Sequence, residues 1–172
     1  TTATNYAVTL SDTSASAANL NTINADTTGL VTATNVTTIS SSTFADVNTL
    51  ISNRGISGNA INIDNDYNVT LSDVSISAAN VKVVNNDTSG TINISAATTI
   101  TSSTIADVLE IVQNTGSVFT TATNYAVTLS DATISAANVK LINADNGTGT
   151  IDISAATTII SSTIADVLEI VQ

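Results

Sequence analysis

The sequence contains no cysteine, histidine, methionine, tryptophan or proline. Without cysteine and histidine, the chain has no ligands of the kind that hold zinc and no imidazole to act as a general base. Without cysteine, it also has no disulfide framework and no thiol nucleophile, so cysteine usage does not indicate a cellular compartment. These absences exclude zinc sites and thiol catalysis.

Positive charge is almost as scarce. The cations Arg54, Lys82 and Lys140 stand against 14 acidic residues, which gives a net charge of −11. Nucleic-acid binding requires a basic patch, which three separated cations cannot form. Anionic membrane surfaces are disfavoured for the same reason, and no apolar run has the length of a transmembrane helix. We therefore expect neither nucleic-acid binding nor membrane insertion.

Aromatic residues are also few, at 3% of the 172 residues, whereas hydrophobic residues make up 42%. The chain can therefore bury a continuous core, but that core must be built from isoleucine, valine, leucine and alanine. The chain begins at Thr1 without an initiator methionine or a signal peptide. We expect a processed chain or a piece of a longer one.

An exact internal repeat is the most informative feature of the chain. Residues 161–172 read SSTIADVLEIVQ and are identical to residues 102–113, with a looser copy at 41–52. One acid recurs at the same place in each copy, as Asp46, Asp107 and Asp166. The pattern predicts one repeat domain over residues 1–172. Its internal repeats are 1–60, 61–117 and 118–172.

The repeated segment predicts a short amphipathic helix. Thr163 is placed to cap the first turn, and Asp166, one helical turn later, can complete a capping box. The apolar positions fall at helical spacing and form the predicted core face. They are Ile164, Val167, Leu168 and Val171.

Each repeat also contains a strand and a second helix. Val127 and Leu129 alternate with polar residues, which predicts a strand with one buried face. The following stretch from Ser135 places Val139 and Ile142 on one face of a helix, with Ser135 as its N-cap. A turn containing glycine or asparagine follows, and these residues suit a positive φ.

One strand and one helix together form a unit of about 28 residues, so each repeat of about 59 residues holds about two coils. Stacked units bury faces that a single unit cannot bury. The prediction is a right-handed α/β solenoid with a parallel sheet and short helices. Serine, threonine and asparagine are weak helix formers, which leaves an all-β parallel β-helix as the alternative fold.

The stretch at residues 11–47, SDTSASAANLNTINADTTGLVTATNVTTISSSTFADV, resembles repeats of very large secreted proteins of cyanobacteria and marine bacteria. These proteins are described as adhesin-like or haemolysin-type. The resemblance implies an extracellular or cell-surface location and a structural or adhesive role. The glycine-rich calcium nonapeptides that often accompany this family do not occur in the chain, which puts calcium dependence in doubt.

Acidic residues supply the weak candidates for a metal site. Asp64 and Asp66 form the densest local cluster, and Asp131 belongs to a recurring LSD motif together with Asp12 and Asp73. Their oxygens suit calcium, but no bidentate acid follows at the expected distance. Asp and Asn in such positions also form turns through their own backbone. No cofactor is therefore expected, with calcium left as the one exception.

The sequence thus predicts a protein without catalytic residues. Its expected function is that of an extracellular structural or adhesive repeat protein, which forms a rod or stacks end to end into a filament or surface layer. The expected partners are further copies or neighbouring repeats of a longer chain. The alternative is a binding module for calcium, glycan or ice on one face of the solenoid.

Overall fold

The computed structural model describes residues 4–55, 60–160 and 162–170. Within these residues the chain forms short parallel strands and six short α-helices, so the predicted α/β class is confirmed. Helices occupy both stretches that the all-β alternative treated as corners. One is the SAAN stretch at Ala136–Asp145 and the other is the IADV stretch at Ile105–Val112.

The bounds of the elements are as follows. The helices are α1 (Ala17–Asp26), α2 (Phe44–Ser52), α3 (Ala78–Asp87), α4 (Ile105–Val112), α5 (Ala136–Asp145) and α6 (Ile164–Ile170). The strands are β1 (Val8–Thr9), β2 (Ser14–Ser16), β3 (Val31–Ala33), β4 (Thr38–Ser42), β5 (Ile61–Ile63), β6 (Asn68–Leu71), β7 (Ser75–Ile76), β8 (Ile92–Asn93), β9 (Thr99–Ser103), β10 (Phe119–Thr120), β11 (Ala126–Leu129), β12 (Thr133–Ile134), β13 (Ile151–Asp152) and β14 (Thr158–Ile159).

The chain divides into two compact units. The first comprises Thr1–Asp73 with Val83–Asn93, and the second comprises Val74–Lys82 with Ile94–Gln172. In the first unit, β1, β3 and β5 form one parallel sheet, with Val31 opposite both Val8 and Ile61. A second parallel sheet has the order β8-β6-β4-β2, and helices α1 and α2 pack against each other.

The second unit is built in the same way. Strands β7, β9, β11 and β13 form a parallel sheet, in which Val127 of β11 lies opposite Ile100 on one side and Ile151 on the other. Strands β12 and β14 form a second parallel pair. Helix α5 packs against α4 and against α6.

The residues paired on neighbouring strands give the length of chain in each coil. Val8 pairs with Val31, and Val31 pairs in turn with Ile61. In the second unit, Val127 pairs with Ile151. The number of residues between paired positions is slightly below the predicted unit length for Val8–Val31 and Val127–Ile151, and slightly above it for Val31–Ile61. The stretch TINISAATTI at residues 91–100, which we expect from the sequence to form the strand of the next unit, in fact contributes to two strands, since β8 ends at Asn93 and β9 begins at Thr99.

The core is largely aliphatic, as the composition predicts. Four residues proposed for it, Val127, Leu129, Val139 and Ile142, are buried. However, most of the few aromatic residues are also buried, and they are Tyr67, Phe119 and Tyr125. The scarce aromatic side chains are therefore placed inside the units rather than on the surface.

The predicted core face of the last helix is wrong in part. Ile164 is 82% exposed and Leu168 is 52% exposed, while Val167 is half-buried. Among the described helices α6 packs against α5, whereas α5 packs against both α4 and α6. The outer side of α6 therefore has no covering helix. Val171 lies outside the described residues.

The buried stripe of these helices is also shifted from the predicted one. In α4 the buried residues are Val108 and Ile111, whereas Ile105 and Leu109 are only half-buried. In α2 they are Val47 and Leu50 at the equivalent positions. The buried positions in both helices are thus one helical turn apart, and the other predicted core positions are only partly covered.

The turn glycines serve two different purposes. Gly147 has φ +64°, in the left-handed region that favours glycine. A close backbone approach is common to the turns: an added Cβ would lie 2.2 Å from the carbonyl oxygen of Thr123 at Gly147, 2.3 Å from that of Tyr67 at Gly90 and 1.9 Å from that of Tyr125 at Gly149. Gly90 and Gly149 do not have the expected positive φ, so the prediction is wrong for them. These two positions require glycine because another backbone segment passes too close.

Candidate functional site

The structure does not bring the candidate metal ligands together. Asp64 accepts a hydrogen bond from the amide of Asn65 at 2.8 Å, and Asp66 is exposed. Asp131 lies elsewhere and accepts from the amide of Ile105 at 2.7 Å. Within the described residues no group of three or more acids could hold a metal ion. The acids act on the backbone instead.

Two of the three LSD aspartates, Asp73 and Asp131, cap helices that precede them in the chain. Asp73 accepts from the amide of Phe44 at 2.7 Å, and Asp131 accepts from Ile105. Phe44 and Ile105 are the first residues of α2 and α4, whose amides have no partner within their own helix. A carboxylate there also favours the positive end of the helix dipole. Sequence reasoning attributed these acids to local turns and missed this contact.

Serine hydroxyls accept a hydrogen bond from the first amide of helices α1, α3 and α5 in the same way. The amide of Ala17 donates to Ser42 Oγ at 2.9 Å, that of Ala78 to Ser103 Oγ at 2.8 Å, and that of Ala136 to Ser162 Oγ at 2.8 Å. Ser135, the predicted cap of α5, makes no side-chain cap bond. The first amide of each of these helices, like that of α2 and α4, is thus satisfied by a side chain from a later segment of the chain.

A threonine caps the start of three helices, as predicted. Thr104 Oγ1 accepts from the amide of Asp107 at 3.2 Å and donates to the Asp107 carboxylate at 2.9 Å. Thr43 and Asp46 make the same two contacts. Thr163 and Asp166 make them at 3.1 Å and 2.7 Å, and here alone among the described residues the amide of the capping threonine also donates to the acid, at 3.4 Å, which completes the predicted capping box. These acids are structural at the helix start, and they do not face another carboxylate across a cleft.

Both lysines pair with acids on the neighbouring helix. Lys82 Nζ lies 2.9 Å from Asp107 and 3.4 Å from Glu110, and Lys140 Nζ lies 2.8 Å from Asp166. The hydrogen bond from Lys82, followed by that from Thr104, holds the pKa of Asp107 below its usual value. The same acids raise the pKa of Lys82.

These shifts predict how acid affects stability. Because Asp107 has a lower pKa in the folded chain than in the unfolded chain, its contribution is present above the unfolded pKa and is lost as the pH falls. We expect Lys82→Met to reduce stability slightly at neutral pH and to lessen the further loss on acidification. Urea midpoints at pH 7 and pH 3 test this, with Lys140→Met as the matched variant. Acid losses equal to that of the parent chain in both variants would contradict the assignment.

A tyrosine–aspartate pair recurs at three places in the chain. Tyr67 donates to Asp87 Oδ2 at 2.7 Å and Tyr125 to Asp145 Oδ2 at 2.6 Å. Burial and then the hydrogen bond raise the pKa of both phenols, so they remain donors. Tyr6 donates to Asp26 but is half-buried. The sequence signal was visible, since each tyrosine directly precedes an AVTL or NVTL strand.

Arg54 joins one of these pairs and makes it a network. Its guanidinium lies 2.5 Å from Asp87 Oδ2, and its Cζ lies 6.0 Å from the centre of the Tyr67 ring. Its second nitrogen donates to the carbonyl of Asp64 at 3.3 Å. Arg54 is therefore engaged in holding the Asp64 loop and is not available to neutralise a substrate anion.

The cavity beside α5 and α6 is lined mainly by aliphatic and small polar residues. It has a volume of about 320 Å³ and is lined by Val139, Ile151 and Ile170 together with Glu169. Glu169 is paired with Lys140 at 3.0 Å. A pocket with one ion-paired carboxylate offers no acid–base couple for catalysis.

Two exposed apolar surfaces are the least expected feature. We call one the β14–α6 face, and it consists of Ile159, Ile160, Ile164 and Leu168, which are 39–82% exposed. We call the other the β1 edge, and it consists of Tyr6, Val8 and Leu10, all half-buried. The sequence equivalents of the β1 edge, Tyr67, Val69 and Leu71, are almost completely buried. The sequence pattern is nearly the same in both repeats, so it does not predict which of them is buried by a neighbouring strand.

Comparison with known proteins gives no relative. No protein-family model matches the chain, and neither a curated protein nor a solved structure matches it. In the part of the chain that the structure describes, no helix has both the length and the apolar character needed to cross a bilayer.

Proposed function

We propose that this chain is an extracellular structural or adhesive repeat protein without a catalytic centre. Its work is to form a solenoid rod in which each coil completes the one before it. The partners in this proposal are further repeats of the same kind, in the same chain or in another copy. Neither calcium nor another cofactor takes part.

The observation that carries the proposal is the use made of the polar side chains. The groups that a site would need are engaged between successive segments. Asp73 and Asp131 bond helix amides, Lys82 and Lys140 pair with acids of the next helix, and Arg54 binds the Asp64 loop. These charged side chains therefore hold neighbouring segments of the chain together.

Strand pairing supports the same conclusion within each unit. Parallel strands require a crossover connection, usually one that contains a helix. In the first unit the crossover from β1 to β3 contains helix α1, and the described part of the crossover from β3 to β5 contains helix α2. Repeated short crossovers that each add one parallel strand are the geometry of a solenoid. Exposed edges of such a sheet pair readily with further strands.

The proposal is tested by joining one, two and three copies of the chain in tandem and imaging them by electron microscopy. We expect the length to grow by a constant increment for each copy, because every copy continues the same stack. Particles that become globular as copies are added would contradict a structural rod.

The calcium alternative makes a different prediction that the same material tests. A calcium-binding face would raise the melting temperature of the single chain on addition of calcium, and Asp64→Ala or Asp131→Ala would abolish the rise. We expect calcium to leave the melting temperature unchanged. We also expect Asp131→Ala to lower it without calcium, because the first amide of α4 loses its acceptor.

A further inference from the structure

We propose that β14 of one copy pairs in parallel with β1 of a second copy, with Ile159 opposite Val8, so that the sheet continues from chain to chain. This inference rests on the proposed structural function and names its partner. The partner is a second copy of this chain, and the contact joins the β14–α6 face to the β1 edge.

The register is taken from two junctions inside the chain. Strand β9 pairs with β11 so that Ile100 lies opposite Val127, and β4 pairs with β6 so that Ile39 lies opposite Val69. Ile159 is the repeat equivalent of Ile100, and both directly follow the letters ISAATT. The stretch that leads to Val8, TNYAV, is identical to the one that leads to Val127. The strands that form the internal junctions thus recur on the two exposed surfaces.

Residues on both surfaces are more exposed than the residues at the same repeat positions inside the chain. Ile100 is 2% exposed and Ile39 is 0% exposed, whereas Ile159 is 39% exposed. On the opposite surface, Val127 is 1% exposed while Val8 is only half-buried. A partner strand accounts for the difference in both cases, because the residue types are the same or closely similar.

Backbone groups are free to make the contact. Within the described residues β14 pairs with β12 and β1 pairs with β3, and each has a second edge without a strand. At the internal junction the amide of Ala126 donates to the carbonyl of Thr98 at 2.9 Å. The equivalent bond between copies runs from the amide of Ala7 to the carbonyl of Thr157. Unpaired parallel edges accept an added strand through such bonds.

The acid that follows the strand is also available. Asp131, just after the strand that ends at Leu129, lies against α4 and accepts from Ile105. Asp12, in the same position after Leu10, has no hydrogen bond or ion pair in the part of the chain described. Docking of a second copy would place Asp12 beside Ile164, as Asp131 lies beside Ile105.

This contact joins two different surfaces and therefore does not close into a symmetric dimer. A head-to-tail contact of this kind repeats from copy to copy, giving a ring where the rotation closes and an open chain of subunits where it does not. Each copy carries a net charge of −11, so added salt should screen the repulsion between copies and favour association.

Cross-linking between single-cysteine variants tests the register, because the parent chain contains no cysteine. Ala7→Cys and Thr158→Cys place thiols at positions that face each other in the proposed pairing. A short dimaleimide added to a mixture of the two variants, at the highest soluble concentration and in added salt, should give a heterodimer. Each variant alone should remain uncross-linked, and a variant carrying both cysteines should give a ladder of higher products.

Matched charge variants show that the surface itself is responsible. Ile159→Lys in the Thr158→Cys chain should abolish the heterodimer. Leu141→Lys, at a residue 48% exposed on α5, makes the same charge change away from the surface and should leave it intact. Circular dichroism verifies that both variants are folded. Ala79→Cys, an exposed site on α3, should not cross-link to Ala7→Cys.

Three results would overturn the inference. They are cross-linking of Thr158→Cys to itself, equal reaction of Ala79→Cys with Ala7→Cys, and absence of any product. None of these would affect the tandem-copy experiment, in which the copies are joined covalently. A constant length increment without intermolecular cross-linking would keep the structural function and remove only the contact between separate chains.

Discussion

Replacing Gly90 with alanine is expected to destabilise the chain by about 3 kcal/mol, the upper part of the range for overpacking. The new Cβ would lie 2.3 Å from the carbonyl oxygen of Tyr67 and 2.6 Å from that of Asp66. Both obstacles are backbone atoms, so no side chain can move aside. The change would also disturb the turn in which Thr88 Oγ1 donates to the carbonyl of Tyr67 at 2.6 Å.

The matched control is Gly116→Ala. Gly116 has φ +82° and open space around the position of a Cβ. Alanine there should therefore cost only the energy of holding a residue with a Cβ in the left-handed conformation, about 1 kcal/mol. Urea unfolding monitored by circular dichroism gives both values. If Gly90→Ala proved no more costly than Gly116→Ala, the close approach between the turn and the Tyr67 strand would be wrong.

Replacing Ile100 with alanine is expected to cost about 2–5 kcal/mol, as for other fully buried isoleucines. Ile100 is 2% exposed and lies between Ile76 on β7 and Val127 on β11. Its sequence equivalent Ile159 is 39% exposed. Ile159→Ala should therefore cost about 1 kcal/mol or less.

The two variants change the same residue type in nearly the same local sequence. The difference between their losses of unfolding free energy therefore reports only how completely each isoleucine is buried. The measurement is made on dilute samples in low salt, where association between copies is weakest. Equal losses for the two variants would mean that Ile159 is covered in the isolated chain. Refolding from urea verifies that the transitions are reversible.

Local features of this fold are predictable from the sequence because the residues that determine them are close neighbours. The cap in which Thr104 Oγ1 accepts from the amide of Asp107 spans one helical turn, and it forms as expected. The burial of Val127 and Leu129 follows from alternation along one strand. The α/β class follows from these two periodicities together.

Features that depend on a distant segment are less visible. Nothing near Ala78 indicates that its amide will bond Ser103, in a later strand. Likewise, the sequences around Ile105 and Ile164 are identical, yet the first is half-buried and the second is 82% exposed. Periodicity identifies an apolar face, but it does not say whether another element lies on that face.

The capping of helices α1 to α5 by later segments has a consequence for synthesis. Helix α3 leaves the ribosome before Ser103 does, so the amide of Ala78 gains its acceptor only after β8 and β9 have also emerged. Helix α4 waits in the same way for Asp131 to reach the amide of Ile105. A nascent chain of this kind therefore always carries one incomplete helix nearest the ribosome. Maturation advances in the direction of translation, with each new segment locking the helix made before it.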